Sequence, residues 1–244
     1  MPFLQLDRDG AILTVTMNQP ETRNALTGNT AVDEFEKLCD DVRRDPSVKV
    51  IILTGAGPIF SSGGNVKDMK RFFDDALTPD MIREEYRQGI QRIPNAMYQL
   101  DVPVICAVNG PAIGAGLDLT CMCDIRIAAD NATFAESFVR VGIVPGDGGA
   151  WLLPRAVGLA KASEMAFTGE AINAQEALAC GLVSRVVPAD QLLAEANKLA
   201  AKIAANPGAV MRMTKRLLRE GQLASLASLL EMSAGFQAIA HKTA

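Results

Sequence analysis

The stretch that most limits the fold is Val104–Asp124, VICAVNGPAIGAGLDLTCMCD. Val104–Val108 is an apolar, β-branched run with the length of a buried strand. Asn109-Gly110-Pro111 breaks it, and Gly114 and Gly116 then flank Ala115. The chain stays apolar again through Cys123, which suits a short buried helix. The first N–H groups of a helix have no intrahelical partner, and the helix dipole is positive there. Small residues let a ligand oxygen come close to those groups. Asp118, one turn in, is the only charged residue between Asp101 and Asp124. A carboxylate beside such amides suits a site that stabilises a developing oxyanion and moves a proton. The same placement also serves simply to complement the dipole, with the glycines there for close packing.

The single histidine narrows the chemistry. His241 lies close to the C-terminus, so a Ser-His-Asp or Cys-His site would have to recruit that tail. A histidine-based zinc or non-haem iron site lacks ligands. Proton transfer therefore falls to carboxylates, Tyr, Lys or Cys, and no metal is expected. A net charge of −4 argues against a nucleic-acid surface. No apolar run reaches membrane-spanning length, and MPFLQLDRDG has no basic-then-apolar signal, so no membrane is expected. The five cysteines are odd in number, and three lie in apolar runs; they read as reduced thiols of a cytoplasmic protein.

The remaining pattern is α/β. Residues 3–7 and 11–17 alternate around Asp9-Gly10, as in a hairpin. Thr30 is placed to cap a helix carrying Val32, Phe35, Leu38 and Val42, and Val50–Thr54 reads as a buried strand. A second small-residue turn, Gly55–Asn65, leads to a helix from Val66 that Asn65 would cap. Residues 72–100 are polar and helical, with a break near Thr78-Pro79, as in a lid-like segment or a solvated helix. Ile125–Ala128 reads as a strand. Pro145-Gly146-Asp147-Gly148-Gly149 enters the helix of Trp151, with Asp147 placed as an N-cap. Beyond Leu159 the chain is mostly helical, with apolar stripes and no polar cluster. The boundary falls at residues 1–188 for an α/β core and 189–244 for a helical region.

Several separated motifs, in order, resemble the crotonase superfamily, or enoyl-CoA hydratase/isomerase family. They are Asn18–Leu26, Ile59–Met69, Pro103–Asp124, Phe134–Gly149 with Leu153-Pro154-Arg155, and Ala174–Val187. The resemblance runs from about residue 3 to the end. It implies a crotonase-like spiral of ββα turns with a helical C-terminal trimerisation region, forming a homotrimer or a dimer of trimers. It implies an acyl-CoA thioester substrate, as in fatty-acid metabolism, with coenzyme A present only as part of that substrate and no other cofactor. The two peptide N–H groups that hold the thioester oxygen map onto Gly64 and Ala115. Arg23, Ala25, Ser62, Asn65 and Val66 map onto the region that wraps the CoA adenine and pantetheine.

One departure matters. Hydratases of this family use two acidic residues. The first maps onto Asp118; the second maps onto Phe138, which cannot transfer a proton. Glu136 and Asp147 are the nearby substitutes. The resemblance therefore implies a hydratase first, with a double-bond isomerase or a non-catalytic acyl-CoA binder as alternatives. An RNA-binding variant would need a basic face. The strongest basic cluster is Arg212–Arg219, in a chain of negative net charge.

Overall fold

The computed structural model describes residues 2–65, 70–73 and 76–243. Its described strands are β1 (Leu4–Asp9), β2 (Ile12–Met17), β3 (Val50–Gly55), β4 (Val104–Val108), β5 (Ala112–Ile113), β6 (Ile125–Ala129), β7 (Thr133–Ala135), β8 (Ala171–Asn173) and β9 (Arg185–Val187). Its described α-helices are α1 (Ala31–Arg44), α2 (Pro79–Gln88), α3 (Arg92–Gln99), α4 (Ala115–Met122), α5 (Gly149–Thr168), α6 (Ala174–Ala179), α7 (Leu192–Ala204), α8 (Gly208–Glu220) and α9 (Leu226–Thr243).

The large sheet has the order β1-β2-β3-β4-β6-β9, antiparallel only at the β1–β2 hairpin. A small sheet, β5-β7-β8, lies apart from it. The chain passes from the large sheet to the small one and then into a helix: β4, β5, α4. It repeats the move with β6, β7 and, after a 3-10 turn at Ser137–Val141, α5. This is the expected spiral of ββα turns. The two-residue β5 and the three-residue β8 are too short to leave a periodic signal.

The unbroken apolar runs follow from burial on both sheet faces. Ile52, Ile105, Ala107 and Ile127 face one layer, where Leu192, Ala196 and Ala200 of α7 cover them. Ile51, Leu53, Val104, Cys106 and Val108 alternate to the other face and join the main core with α1 and α4. Helix α7, drawn with the C-terminal region in the sequence, thus packs on the sheet.

The expectation that the late helices lack a polar cluster is overturned by α8. Arg212, Lys215 and Arg219 form one stripe on it. Arg212 donates to the carbonyls of Val42 (3.0 Å) and Asp45 (2.9 Å) at the end of α1 and pairs with Asp101. Lys215 reaches the Val102 carbonyl (2.7 Å) and Asp124 (2.6 Å). Arg219 donates to the Leu100 carbonyl just past α3 (3.0 Å). The basic cluster is spent on Asp101, Asp124 and backbone carbonyls, of which those just past α1 and α3 lie at helix C-termini, where cations are favoured.

Other local readings also change. Thr30 stands at the N-cap of α1, but Asn29 Oδ1 accepts from the Ala31 N–H (2.9 Å), and the Thr30 hydroxyl turns to Glu34. Residues 72–100 are not one solvated helix: Ile93 and Met97 of α3 are buried against the core. Thr78 caps α2 as its position suggests, accepting from the Met81 N–H. The helix expected from Val66 lies outside the described residues.

Candidate active site

Three segments meet at the start of α4. Residues 23–27 run beside residues 61–65: the Ser62 N–H donates to the Arg23 carbonyl (2.9 Å), the Leu26 N–H to Gly63 (2.8 Å) and the Asn65 N–H to Thr27 Oγ1 (2.8 Å). Residues 60–63 in turn lie along 111–113: the Ile113 N–H donates to Ser61 (3.0 Å) and the Phe60 N–H to Pro111 (3.1 Å). Gly63 is required here. Its φ is +79°, and a Cβ would sit 2.4 Å from the Ile113 carbonyl oxygen and 2.9 Å from the Ala115 nitrogen. The loop is thereby pressed onto the helix start. Among the described residues, neither the Gly64 N–H nor the Ala115 N–H has an acceptor.

Asp118 lies one turn further along α4, its N–H bonded to the Gly114 carbonyl (3.0 Å). Glu136 follows β7, and Asp147 precedes α5. The three carboxyls are 0%, 1% and 4% exposed. Asp118 and Glu136 converge above Gly149, where a Cβ would lie 2.2 Å from Asp118 Oδ1 and 2.5 Å from Glu136 Oε1, and Asp147 is close enough for its charge to act on both. Neither Asp118 oxygen nor Glu136 Oε2 has a hydrogen-bond donor among the described residues. No lysine or arginine there pairs with any of the three.

Burial pushes the Asp118 carboxyl well above the usual aspartate range, and the charges of Glu136 and Asp147 push it further. The nearby Gly149 amide pulls the other way and loses. Burial also raises Glu136 to about 7 and Asp147 to about 6. The cluster thus holds protons at neutral pH and can both give and take one. Next to it stands Tyr86 of α2, whose ring would meet a Cβ on Gly146 at 3.2 Å; burial and the Asp147 charge raise its hydroxyl.

Comparison with known proteins gives the family. A family model described as enoyl-CoA hydratase/isomerase matches residues 7–243. The chain belongs to the enoyl-CoA hydratase/isomerase family. It is 36% identical over 222 residues to a Mycobacterium tuberculosis protein named "Probable enoyl-CoA hydratase echA8", covering 91% of this chain and 82% of the relative. It is 36% identical over 220 residues to the short-chain-enoyl-CoA hydratase of Clostridium acetobutylicum, covering 88% and 80%. The crystal structure of enoyl-CoA hydratase from Bacillus anthracis superposes with a TM-score of 0.89 at 31% identity, over 97% of this chain and 90% of that one. The crotonase-like α/β architecture is thereby the fold of this member.

The structure brings together most of the residues singled out in the sequence. Gly64 and Ala115 lie at the loop and helix start that Gly63 presses together. Arg23 is exposed, Ala25 is buried, and Ser62 and Asn65 are half-buried along the adjoining straps. Val66 lies outside the described residues. Phe138 is buried, its ring beside Gly114 (3.6 Å to a Cβ there), so it forms an apolar wall at the helix start. The N-cap placement of Asp147 is overturned. Gly148, with φ +109°, occupies that position, and Asp147 turns inward to the carboxyls.

Sequence reasoning missed Asn24 as a site residue. It is fully buried with φ +52°, a conformation that asparagine tolerates better than most. Its Oδ1 accepts from the Gln19 N–H (3.0 Å), and its Nδ2 reaches the carbonyls of Ala56 (3.0 Å), Ile59 (2.9 Å) and Phe60 (3.1 Å). The three carbonyl partners lie more than thirty residues along the chain, where local pattern carries no signal.

A separate groove of about 950 Å³ opens on the opposite end of α4, among Tyr98, Cys121, Trp151, Lys215, Leu218 and Leu223. None of the three carboxyl residues lines it.

Proposed function

We propose that this chain is an enoyl-CoA hydratase, adding water across the α,β double bond of an acyl-CoA thioester. The observation that carries the reading is a buried carboxyl trio whose Asp118 stands one helical turn from the Ala115 N–H, which, like the Gly64 N–H, has no acceptor among the described residues. The names of its relatives support the same substrate class. When water attacks the β-carbon, negative charge moves to the thioester oxygen. The N–H groups of Gly64 and Ala115 form the oxyanion hole for that charge, fixed in backbone and needing no reorganisation. The β-carbon's water needs a base, and the α-carbon needs a proton. Asp118 and Asp147 supply this pair, with Asp147 doing from the α5 loop what Phe138 cannot do from its own position.

Phe138 walls the acyl end near Gly114. Arg23, Ala25, Ser62, Asn65 and Val66 serve the CoA end. No cofactor is needed beyond the coenzyme A of the substrate. The active form is a homotrimer or a dimer of trimers. Leu218, Leu226, Leu230 and Ile239 of the C-terminal helices, and Leu223 in the turn between α8 and α9, are exposed in the single chain and would be covered by a neighbour. Light scattering at micromolar concentration should report the assembly, and a stable monomer would refute it.

Phe138 in the place of a second acid also favours an isomerase reading, in which one carboxyl lifts a proton and returns it further along the acyl chain. Mass spectrometry of products from a panel of acyl-CoAs separates the readings. A gain of one water shows hydration, a shifted double bond at constant mass shows isomerisation, and tight binding without turnover shows a silent binder.

A further inference from the structure

We infer that Glu136 is a positioning residue: it holds the carboxyl proton of Asp118, so that Asp118 enters the reaction as the donor and Asp147 as the acceptor. This rests on the hydratase reading given above.

The geometry is specific. Both oxygens of Asp118 lie where no donor of the described residues reaches them, and Glu136 Oε1 crowds the same point above Gly149. Two carboxylates this close, both sealed from water, cannot both stay ionised. A proton placed between them gives an orphaned Asp118 oxygen a partner in Glu136 Oε1, because a protonated carboxyl donates and an ionised one accepts. Asp118 Oδ1 and Glu136 Oε1 both lie within 2.5 Å of one point above Gly149, where such a proton would join them, and the charge of Asp147 acts on Asp118 as well.

The other groups around the trio do not change this assignment. Cys121, on α4, is a neutral thiol held up to about 12 by burial. Tyr86, on α2, faces Asp147 and remains neutral. Arg126 acts on the Cys106 and Cys121 thiols, and Arg92 of α3 is taken by Asp33 and Glu36.

The proton balance closes within the cluster. Asp147 takes a proton from water as its oxygen bonds to the β-carbon. The α-carbon of the enolate takes the proton of Asp118. The proton gained by Asp147 then passes to Asp118, and Glu136 again holds it there. Substrate has gained one water, and the three carboxyls return to their starting state.

The test is Glu136→Gln, which keeps size and an accepting oxygen but removes the charge. Two readouts are followed across pH: the kcat and KM of a short-chain 2-enoyl-CoA, and the infrared band of protonated carboxyl in the unliganded enzyme. The wild type should keep a protonated-carboxyl band at mildly alkaline pH that Asp118→Asn removes. In Glu136→Gln that band should titrate away at least one pH unit lower. The basic limb of kcat should move down with it, while KM changes less than about threefold. A wild type with no such band, or a variant in which band and basic limb both stay put, overturns the inference. If no enoyl-CoA is turned over, the hydratase reading fails, and the infrared titration still decides whether Glu136 holds the Asp118 proton. Should Glu136→Gln fail to fold, Glu136→Asp is titrated in its place: the shorter side chain withdraws the accepting oxygen, so the Asp118 band should again titrate away at lower pH, and an unmoved band overturns the inference.

Discussion

Asp147→Asn separates two physical accounts of the same residue. If Asp147 were the cap of α5, asparagine would serve about equally well at any pH. The structure instead buries it among like charges. Burial raises its carboxyl from the ordinary 3.8 to about 6. That is about two pH units, at ~1.4 kcal/mol each. The sign follows from linkage. A folded-state value above the unfolded one means that stability is whole below 3.8 and is lost as pH rises through about 6. At mildly alkaline pH the ionised group therefore costs the fold about 3 kcal/mol.

The variant removes that titration. It should melt close to the wild type near pH 4 and about 6–12 °C higher near pH 8, taking roughly 2–4 °C per kcal/mol for a chain of this size. Melts at both pH values and one fixed protein concentration measure the effect, since assembly also contributes to the midpoint. Turnover should fall roughly 10²–10⁴-fold, as for loss of a general acid or base. A melting difference that is the same at both pH values, or a variant less stable near pH 8, refutes the burial argument. Normal turnover refutes the catalytic one.

Lys215→Ala should cost about 1–3 kcal/mol, read from the denaturant midpoint, because it takes the buried donor away from the Val102 carbonyl, while the exposed Asp124 keeps the Val104 N–H (2.8 Å) and the longer Arg219 contact (3.6 Å). Asn24→Ala should cost about 3 kcal/mol by orphaning the carbonyls of Ala56, Ile59 and Phe60, and it should raise KM by loosening the strap between residues 23–27 and 61–65. Ala115→Pro removes one oxyanion donor at a position where proline's fixed φ fits a helix start. The protein should fold while kcat drops about 10²–10³-fold, and full activity would refute the role given to Ala115.

What was legible in the sequence was local. The β1–β2 hairpin, the runs of β3, β4 and β6, and the small-residue turns all announce themselves within a few residues. The pattern of α8 was legible too, but its meaning was not. Arg212, Lys215 and Arg219 read as a basic cluster because their acceptors are backbone carbonyls, which no sequence marks, and two aspartates, Asp101 and Asp124, some ninety residues or more away. Glu136 and Asp147 could be nominated by proximity to Phe138. Their convergence on Asp118 depends on Gly149, whose missing Cβ leaves the space. Glycine at a turn signals many things, and close approach of three side chains from separate elements is not readable from its neighbours.

Asp118 shows why the same residue type at a helix start can do opposite things. In water, the positive end of α4 would hold its carboxyl ionised, a contribution of about 0.3–1 kcal/mol. Here the side chain is sealed, and its nearest partners are two more carboxyls. Removing an unpaired carboxylate from water costs several kcal/mol, so the dipole cannot win. The unpaired N–H groups at that helix end are left for a ligand instead of being spent on Asp118. This division lets one short helix present an anion-binding end and, one turn later, a proton to give. A site that instead ionised Asp118 would have no proton to donate from that position.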